Sequence, residues 1–304
     1  MDSLKNVLLI GAGGNLGVHV LKTFLDSPYK VSILTRKEST SIFPEGVPVF
    51  RADYSDISQV KHAMEGQDVV ISMVAVFATG DQQILVDAAI AAGVKRFFPS
   101  EFGPPSRDEK FAALHPALPP KVATVDYLRS KESQISWSAL IPGAFFDWAM
   151  KIGLFGFDID SKTATLIDGG TATFTASTLP TIAKATLAML EHADETKNQY
   201  VYISSFHISQ KDILDVVEKV DDQKWTVKHI TSEELIAQGK KRLAEGDNMG
   251  ATDLVGGGAL GKQALGDSRP WGLWDGKLGL QKEDLEQSVR DVFLYKANHT
   301  KASE

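Results

Sequence analysis

Two hydrophobic periodicities alternate through the first half of the chain. Val7-Leu8-Leu9-Ile10 is an unbroken apolar run, the pattern of a strand buried on both faces, and Leu16, Val20 and Phe24 then recur at helical spacing. Val31–Thr35 predicts a second strand and Val47–Phe50 a short third. Val60 and Met64 mark a helix ahead of a strong fourth strand over 68–74. Ile84, Leu85, Ala88 and Ala92 mark the next helix, followed by a fifth strand at Arg96–Phe98. A helix over 121–133 then leads into a sixth strand at Ser136–Ile141.

Strands alternating with helices predict an α/β fold: a Rossmann-type doubly wound parallel sheet with right-handed crossovers and helices on both faces. Residues 1–150 are expected to form this nucleotide-binding domain. In such sheets ligands lie beyond the carboxyl ends of the strands, so the loops after Ile10, Thr35, Val74, Phe98 and Ile141 face the expected site. The Pro-rich segment between Glu101 and Pro120 reads as a loop at that end. Past Pro142 the pattern weakens. Helices are predicted at about 180–192, 209–220, 232–244 and 282–296, with strands near 163–167, 200–204 and 226–230. Gly256-Gly-Gly258 and the run from Gly266 to Gly279 read as mobile loops. Residues 151–304 are therefore expected to build mainly a smaller C-terminal α/β substrate lobe, some of it returning to the Rossmann sheet.

The glycine pattern adds the first chemistry. Ile10-Gly-Ala-Gly-Gly-Asn-Leu-Gly17 carries Gly11, Gly14 and Gly17 as G-x-x-G-x-x-G, directly after a strand and opening a helix. Glycine permits the tight turn, the approach of backbone to a pyrophosphate and close packing of helix on sheet. The helix N-terminus, with Asn15 and Leu16 beside it, then offers free N–H groups and a positive dipole end to phosphates. At the end of the second strand an NAD site usually carries a carboxylate for the ribose 2′-hydroxyl. Here Arg36 and Lys37 stand there instead, and a guanidinium attracts a 2′-phosphate by bidentate hydrogen bonds, so NADPH is the expected cofactor. The opposing reading is a solvated basic pair, with Glu38 alongside. Asp53, near the adenine edge, and Ala75, after the fourth strand, complete the expected cofactor contacts, although a strand-end Asp is often only a turn former.

Bulk composition excludes several classes. The 304 residues are 43% hydrophobic and 23% charged, ordinary for a globular chain. With a net charge of −7 and no basic block, neither nucleic acid nor an anionic membrane is expected as partner. The absence of cysteine removes disulfides, thiolate nucleophiles and Cys-rich metal sites. The seven His show no metal-ligand spacing with carboxylates, so no metal is expected. No basic n-region followed by an apolar h-region is visible, and the default expectation is a cytoplasmic monomer or homodimer acting on a small molecule.

These residues resemble the isoflavone-reductase-like, or NmrA-like, branch of the atypical short-chain dehydrogenases. The resemblance rests on the glycine loop, Arg36, Asp53 in Arg-Ala-Asp-Tyr-Ser-Asp, Asp68-Val-Val-Ile-Ser, and above all Pro99-Ser-Glu-Phe-Gly103. Pro142-Gly-Ala-Phe-Phe-Asp-Trp148 is similar to fungal members. It covers about the first 150 residues well and the rest loosely. It implies a Rossmann domain, a smaller substrate lobe, NADPH, and a catalytic Lys that maps onto Lys121. That Lys acts on a proton of the substrate or holds the nicotinamide ribose.

A competing arrangement is present. Tyr127-Leu-Arg-Ser-Lys131 is a Y-x-x-x-K pair that Ser100 would complete, and a nearby ammonium prepares a phenol for proton transfer. Helical geometry favours Lys121, which precedes Ser136 by about 15 residues, enough for a helix of three to four turns, and so starts that helix at the cofactor end. Lys131 lies at the far end, roughly 15 Å away at 1.5 Å per residue, so the two cannot both reach the nicotinamide. Without the resemblance, Lys121 reads as an exposed Lys after Pro119-Pro120. His115 is a weaker hydrogen-bond candidate. Phe102, Phe145, Phe146 and Trp148 are candidates for an aromatic substrate pocket, although aromatic residues are more often core. Trp271 and Trp274 are candidates for a lid. Two functions remain open: an NADPH-dependent reductase of a small aromatic or unsaturated secondary metabolite, and an NmrA-type dinucleotide sensor without turnover, which would have no need of Lys121.

Overall fold

The computed structural model describes residues 4–75, 78, 80 and 82–300. Its strands are β1 (Asn6–Ile10), β2 (Lys30–Arg36), β3 (Val49–Ala52), β4 (Val69–Ser72), β5 (Arg96–Phe98), β6 (Ser136–Ile141), β7 (Ala144–Phe145), β8 (Phe157–Asp158), β9 (Thr163–Ile167), β10 (Thr173–Ser177), β11 (Gln199–Tyr202), β12 (Phe206–Ser209) and β13 (Thr226–Ile230). The helices are α1 (Gly17–Leu25), α2 (Ile57–Met64), α3 (Gln82–Ala92), α4 (Glu109–Leu114), α5 (Leu118–Ser130), α6 (Phe146–Lys151), α7 (Leu179–Glu191), α8 (Gln210–Asp221), α9 (Ser232–Ala244), α10 (Gly250–Leu260) and α11 (Leu285–Thr300). None of the described helices is long and apolar enough to cross a membrane.

Seven strands form one all-parallel sheet in the order β11-β6-β5-β4-β1-β2-β3. The chain leaves β1 outward to β2 and β3, then returns to its other side for β4. That reversal puts a crevice at the carboxyl ends of β1 and β4. Val7, Leu8, Leu9 and Ile10 have no exposed surface because layers cover both faces. On one face Leu9, Ile33 and Ile71 pack with Leu16, Val20 and Phe24 of α1 and with Ile182 and Met189 of α7. On the other, Leu8, Ile10 and Val70 pack with Val60 of α2, Val86 of α3 and Leu128 of α5. This is the doubly wound sheet that the alternating periodicities predict, with β3 two residues later than expected.

Two of its elements, β11 and α7, come from beyond residue 150. The outer edge of β11 is covered in turn: Leu273 bridges to Tyr202, and the Trp274 N–H donates to the Tyr202 carbonyl at 2.8 Å. A parallel sheet edge left open would offer a row of unpaired backbone groups.

The second lobe holds two three-stranded sheets, β12-β10-β7 and β13-β9-β8. Its core is aromatic, with Phe146, Phe155, Phe157, Phe174 and Phe206 buried together and joined by Ile213 and Val217 of α8 and Val289 and Val292 of α11.

The structure departs from the sequence pattern at several points, among them the strands β10 and β12, which the periodicity does not predict. The segment 101–120 is not all loop, since Asp108 accepts a hydrogen bond from Phe111 N and so caps the short helix α4. Gly256-Gly-Gly258 is not a loop either but the middle of α10. Glycine costs a helix about 1 kcal/mol per residue relative to Ala, yet here it lets α10 lie directly on its neighbours. A Cβ on Gly257 would stand 2.6 Å from Ile236 Cγ1 of α9, and one on Gly250 would stand 2.3 Å from the Gly239 carbonyl oxygen. Backbone cannot step aside as a side-chain tip can. Gly250→Ala is therefore expected to destabilise the protein by about 1–3 kcal/mol despite alanine's better helix propensity. Chemical denaturation of the variant beside the parent measures this; equal midpoints would refute the close-packing explanation.

Candidate active site at the carboxyl edge of the sheet

The glycine loop occupies the β1–α1 turn. Gly11 has φ +84, and a Cβ there would stand 2.4 Å from the Met73 carbonyl oxygen, so the turn presses against the end of β4. Gly17 is the first residue of α1, and a Cβ on it would meet Gly11 O at 2.1 Å. Gly14, whose N–H closes the turn on Gly11 O at 3.0 Å, and Asn15 are both exposed. The Leu16 side chain belongs to the core, which leaves only its backbone for a ligand. α1 has no side-chain cap, and Val18 N and His19 N bond back to Gly14 O and Leu16 O at 3.2 and 3.0 Å, so it is the amides of the turn itself, Gly13 and Asn15 to Gly17, that are placed for an anion.

Arg36 and Lys37 are exposed at the carboxyl end of β2, and Ala75 is exposed after β4. Asp53 is also exposed, but its carboxylate accepts from Ser55 N at 2.9 Å and Ser55 Oγ at 2.6 Å. That is the turn-forming role, and it keeps the Asp53 carboxyl below the usual carboxylate range. A glycine turn, an open helix N-terminus and a basic pair together fit a dinucleotide carrying an extra phosphate.

Pro119 and Pro120 sit in the first turn of α5, where a missing N–H costs nothing, and so place Lys121 one turn in at the cofactor end. Lys121 is 6% exposed, and its Nζ donates to the Glu101 carbonyl oxygen at 2.5 Å. It is thus a buried amine tied to the loop after β5 rather than a solvated surface Lys. Burial pushes its pKa down, and the Glu101 carboxylate pulls it back up. A Cβ on Gly103 would stand 3.5 Å from this Nζ, so the bare glycine leaves the approach to the amine clear.

The rival pair is directed elsewhere. Tyr127 Oη donates to Asp87 Oδ1 of α3 at 2.5 Å, Lys131 is the C-cap of α5, and its Nζ lies 5.3 Å from the Tyr127 ring centre. Ser100 Oγ donates to Val74 O at 2.9 Å. Lys121 and Lys131 thus stand at opposite ends of one helix.

Of the aromatic candidates, Phe145 and Trp148 are half-buried with ring centres 6.4 Å apart, and Phe102 is 8% exposed. Phe146 is a correction. It has no exposed surface and packs on Phe155 and Phe206 in the second core, because the turn from β7 into α6 directs adjacent side chains to opposite sides. Trp271 stacks on Tyr202 at 5.7 Å, outside the sheet edge, and Trp274 packs at the periphery of the α1–α7 core.

A family model described as the NmrA-like family matches residues 3–245. The chain belongs to the NmrA-like family. Oxidoreductase aprR of Aspergillus flavus is 35% identical over 82% of this chain and 85% of its own length. Oxidoreductase poxI of Penicillium oxalicum is 31% identical over 92% and 91%. The chain shares the oxidoreductase class of these fungal relatives. AtPrR2, solved with NADP+ and (+)-pinoresinol, has the same fold, with a TM-score of 0.79 at 18% identity over 96% of this chain and all of that one.

In this NmrA-like protein, residues beyond those singled out from the sequence gather around Glu101, the partner of Lys121. Glu101 has no exposed surface, and Arg107 lies 5.4 Å from the centre of the Tyr200 ring. Tyr200 and Tyr202 project from the same side of β11, and burial pushes Tyr202 up to about 12. The Glu of Pro-Ser-Glu-Phe-Gly is visible in the sequence, but its burial and its nearness to Tyr200 of β11, about a hundred residues later, are not.

His115 is buried and accepts from Ala117 N through Nδ1 at 3.1 Å, which leaves its proton on Nε2. Burial, helped by the nearby Lys121 charge, lowers its pKa to about 4. Between pH 6.5 and 4 the unfolded chain takes up a proton here that the folded one refuses, so stability falls as pH falls through this window. His115→Gln is expected to remove about 2 kcal/mol of that acid sensitivity, read from parent and variant denaturation midpoints at pH 7 and 5. Parallel losses in the two proteins would contradict the burial of a neutral imidazole.

Proposed function

We propose that this protein is an NADPH-dependent reductase of a small aromatic or unsaturated secondary metabolite, with Lys121 carrying the proton. The observation that carries the reading is the buried Lys121 amine, held by the Glu101 carbonyl at the same end of the sheet as the glycine turn. The amides of the glycine turn, up to Gly17 N at the start of α1, would hold the pyrophosphate, and Arg36 with Lys37 the 2′-phosphate. Bound NADPH supplies the hydride. Lys121, whose burial brings its amine toward neutral pH, gives or takes the matching proton at the substrate oxygen. Phe102, Phe145 and Trp148 offer apolar faces against which a flat ring can lie. The aromatic ligand of AtPrR2 and the oxidoreductase relatives support this substrate class.

Calorimetric titration with NADPH and NADH, followed by a screen for NADPH oxidation against aromatic enones, benzylic ethers and quinones, tests the reading. Tight NADPH binding with turnover is expected. Binding without turnover across the panel would favour a dinucleotide sensor, and no binding would refute the cofactor site.

A further inference from the structure

Glu101 contributes two groups to this site, and only one is accounted for. Its carbonyl oxygen holds Lys121 Nζ, while its carboxylate has no exposed surface and neither oxygen has a hydrogen-bond partner among the described residues. The Ser106 hydroxyl comes close without completing a hydrogen bond, and Ser106 Oγ and Tyr200 Oη are themselves buried without partners. A structural carboxylate at this depth would normally be tied down by several donors, because desolvating an unpaired charge is costly. What surrounds this one instead is charge. Lys121 acts from α5, and Arg107 acts from the loop after β5. Arg129 of α5 lies 5.7 Å from the Tyr200 ring centre, Tyr200 and Tyr202 of β11 are within electrostatic reach of the carboxylate, and neutral His115 is within reach of Lys121.

We propose that Glu101 is a positioning residue whose carboxylate, buried beside Lys121 without hydrogen bonds of its own, sets whether the Lys121 amine carries a proton. The proposal rests on the reading of Lys121 as proton carrier. The two groups respond to each other: burial pushes Glu101 up to about 7 while Lys121 opposes it, and burial pushes Lys121 down while Glu101 opposes that. An ionised Glu101 favours the ammonium; a neutral Glu101 favours the free amine.

Carbon-13 NMR of the full-length protein labelled at the glutamate carboxyl carbons tests the coupling without requiring turnover. One carboxyl resonance is expected to titrate near pH 7, to vanish in E101Q, and to move up by about one pH unit or more in K121M, where the neighbouring cation is gone. Should E101Q fail to fold, the comparison of parent with K121M still decides. In turnover, E101Q is expected to shift the Lys121-dependent limb of the kcat/KM profile down by about one pH unit, since the ammonium has lost its counter-charge, and E101D to restore it. All carboxyls titrating in the ordinary range, an unmoved midpoint in K121M, or an unmoved limb in folded E101Q would each overturn the proposal. NADPH binding without turnover would sink the reductase reading alone, leaving the NMR midpoints to decide the coupling.

Discussion

Lys121→Ala is expected to lower turnover by about 10²- to 10⁴-fold, the range contributed by a positioned acid or base, while leaving NADPH affinity within a few-fold of the parent. The reason is the placement of Nζ at 2.5 Å from Glu101 O, in the loop after β5, whereas the pyrophosphate would be gripped by a different loop, the glycine turn after β1. Loss of absorbance from NADPH gives kcat, and calorimetry gives Kd on the same preparations. Tyr127→Phe is the control. Its hydroxyl is taken up by Asp87 on α3, so the variant is expected to keep full activity. A dead Tyr127→Phe with an active Lys121→Ala would reverse the assignment and make Y-x-x-x-K the catalytic pair.

Arg36→Ala is expected to weaken NADPH binding by about 1.5–3 kcal/mol, roughly 10- to 150-fold, and NADH binding by much less, because the lost hydrogen bonds go to a charged group that NADH lacks. The side chain lies exposed at the end of β2, so the substitution removes little packing and a uniform loss through misfolding is not expected. Competitive titration of the two dinucleotides against one preparation measures the ratio. Equal losses would show that Arg36 does not read the 2′-phosphate. Raising the salt concentration should erode NADPH affinity faster than NADH affinity in the parent, and this difference should shrink in the variant.

Legibility in the sequence followed the range of the interaction. The glycine turn could be read because its geometry spans seven consecutive residues: Gly11 needs a positive φ and Gly17 a bare Cα for reasons contained in the turn itself. Lys121 could be placed at the start of a helix by counting back from Ser136, and α5 begins three residues before it. Asp53 offered two readings, and its hydrogen bonds to Ser55 show it forming a turn. Phe146 reads from the sequence as a pocket residue because the turn that directs it away from Phe145 and into the second core leaves no periodic trace. Gly256–Gly258 read as a loop because glycine propensity is local, whereas the contact that makes glycine favourable, against α9, is not.

By itself, then, the sequence determined the strand–helix alternation, the glycine turn and the basic pair after β2, all products of periodicity and spacing within a few turns of chain. The tertiary structure decided that α7 and β11 complete the Rossmann layers and that Glu101 is fully buried within electrostatic reach of Tyr200 on β11. It also decided that Lys121 is a buried amine rather than a solvated one. Burial is a property of what packs over a residue, and Glu101 and Tyr200 are about a hundred positions apart. The charge state of the site is therefore set by a long-range pairing that no local pattern encodes.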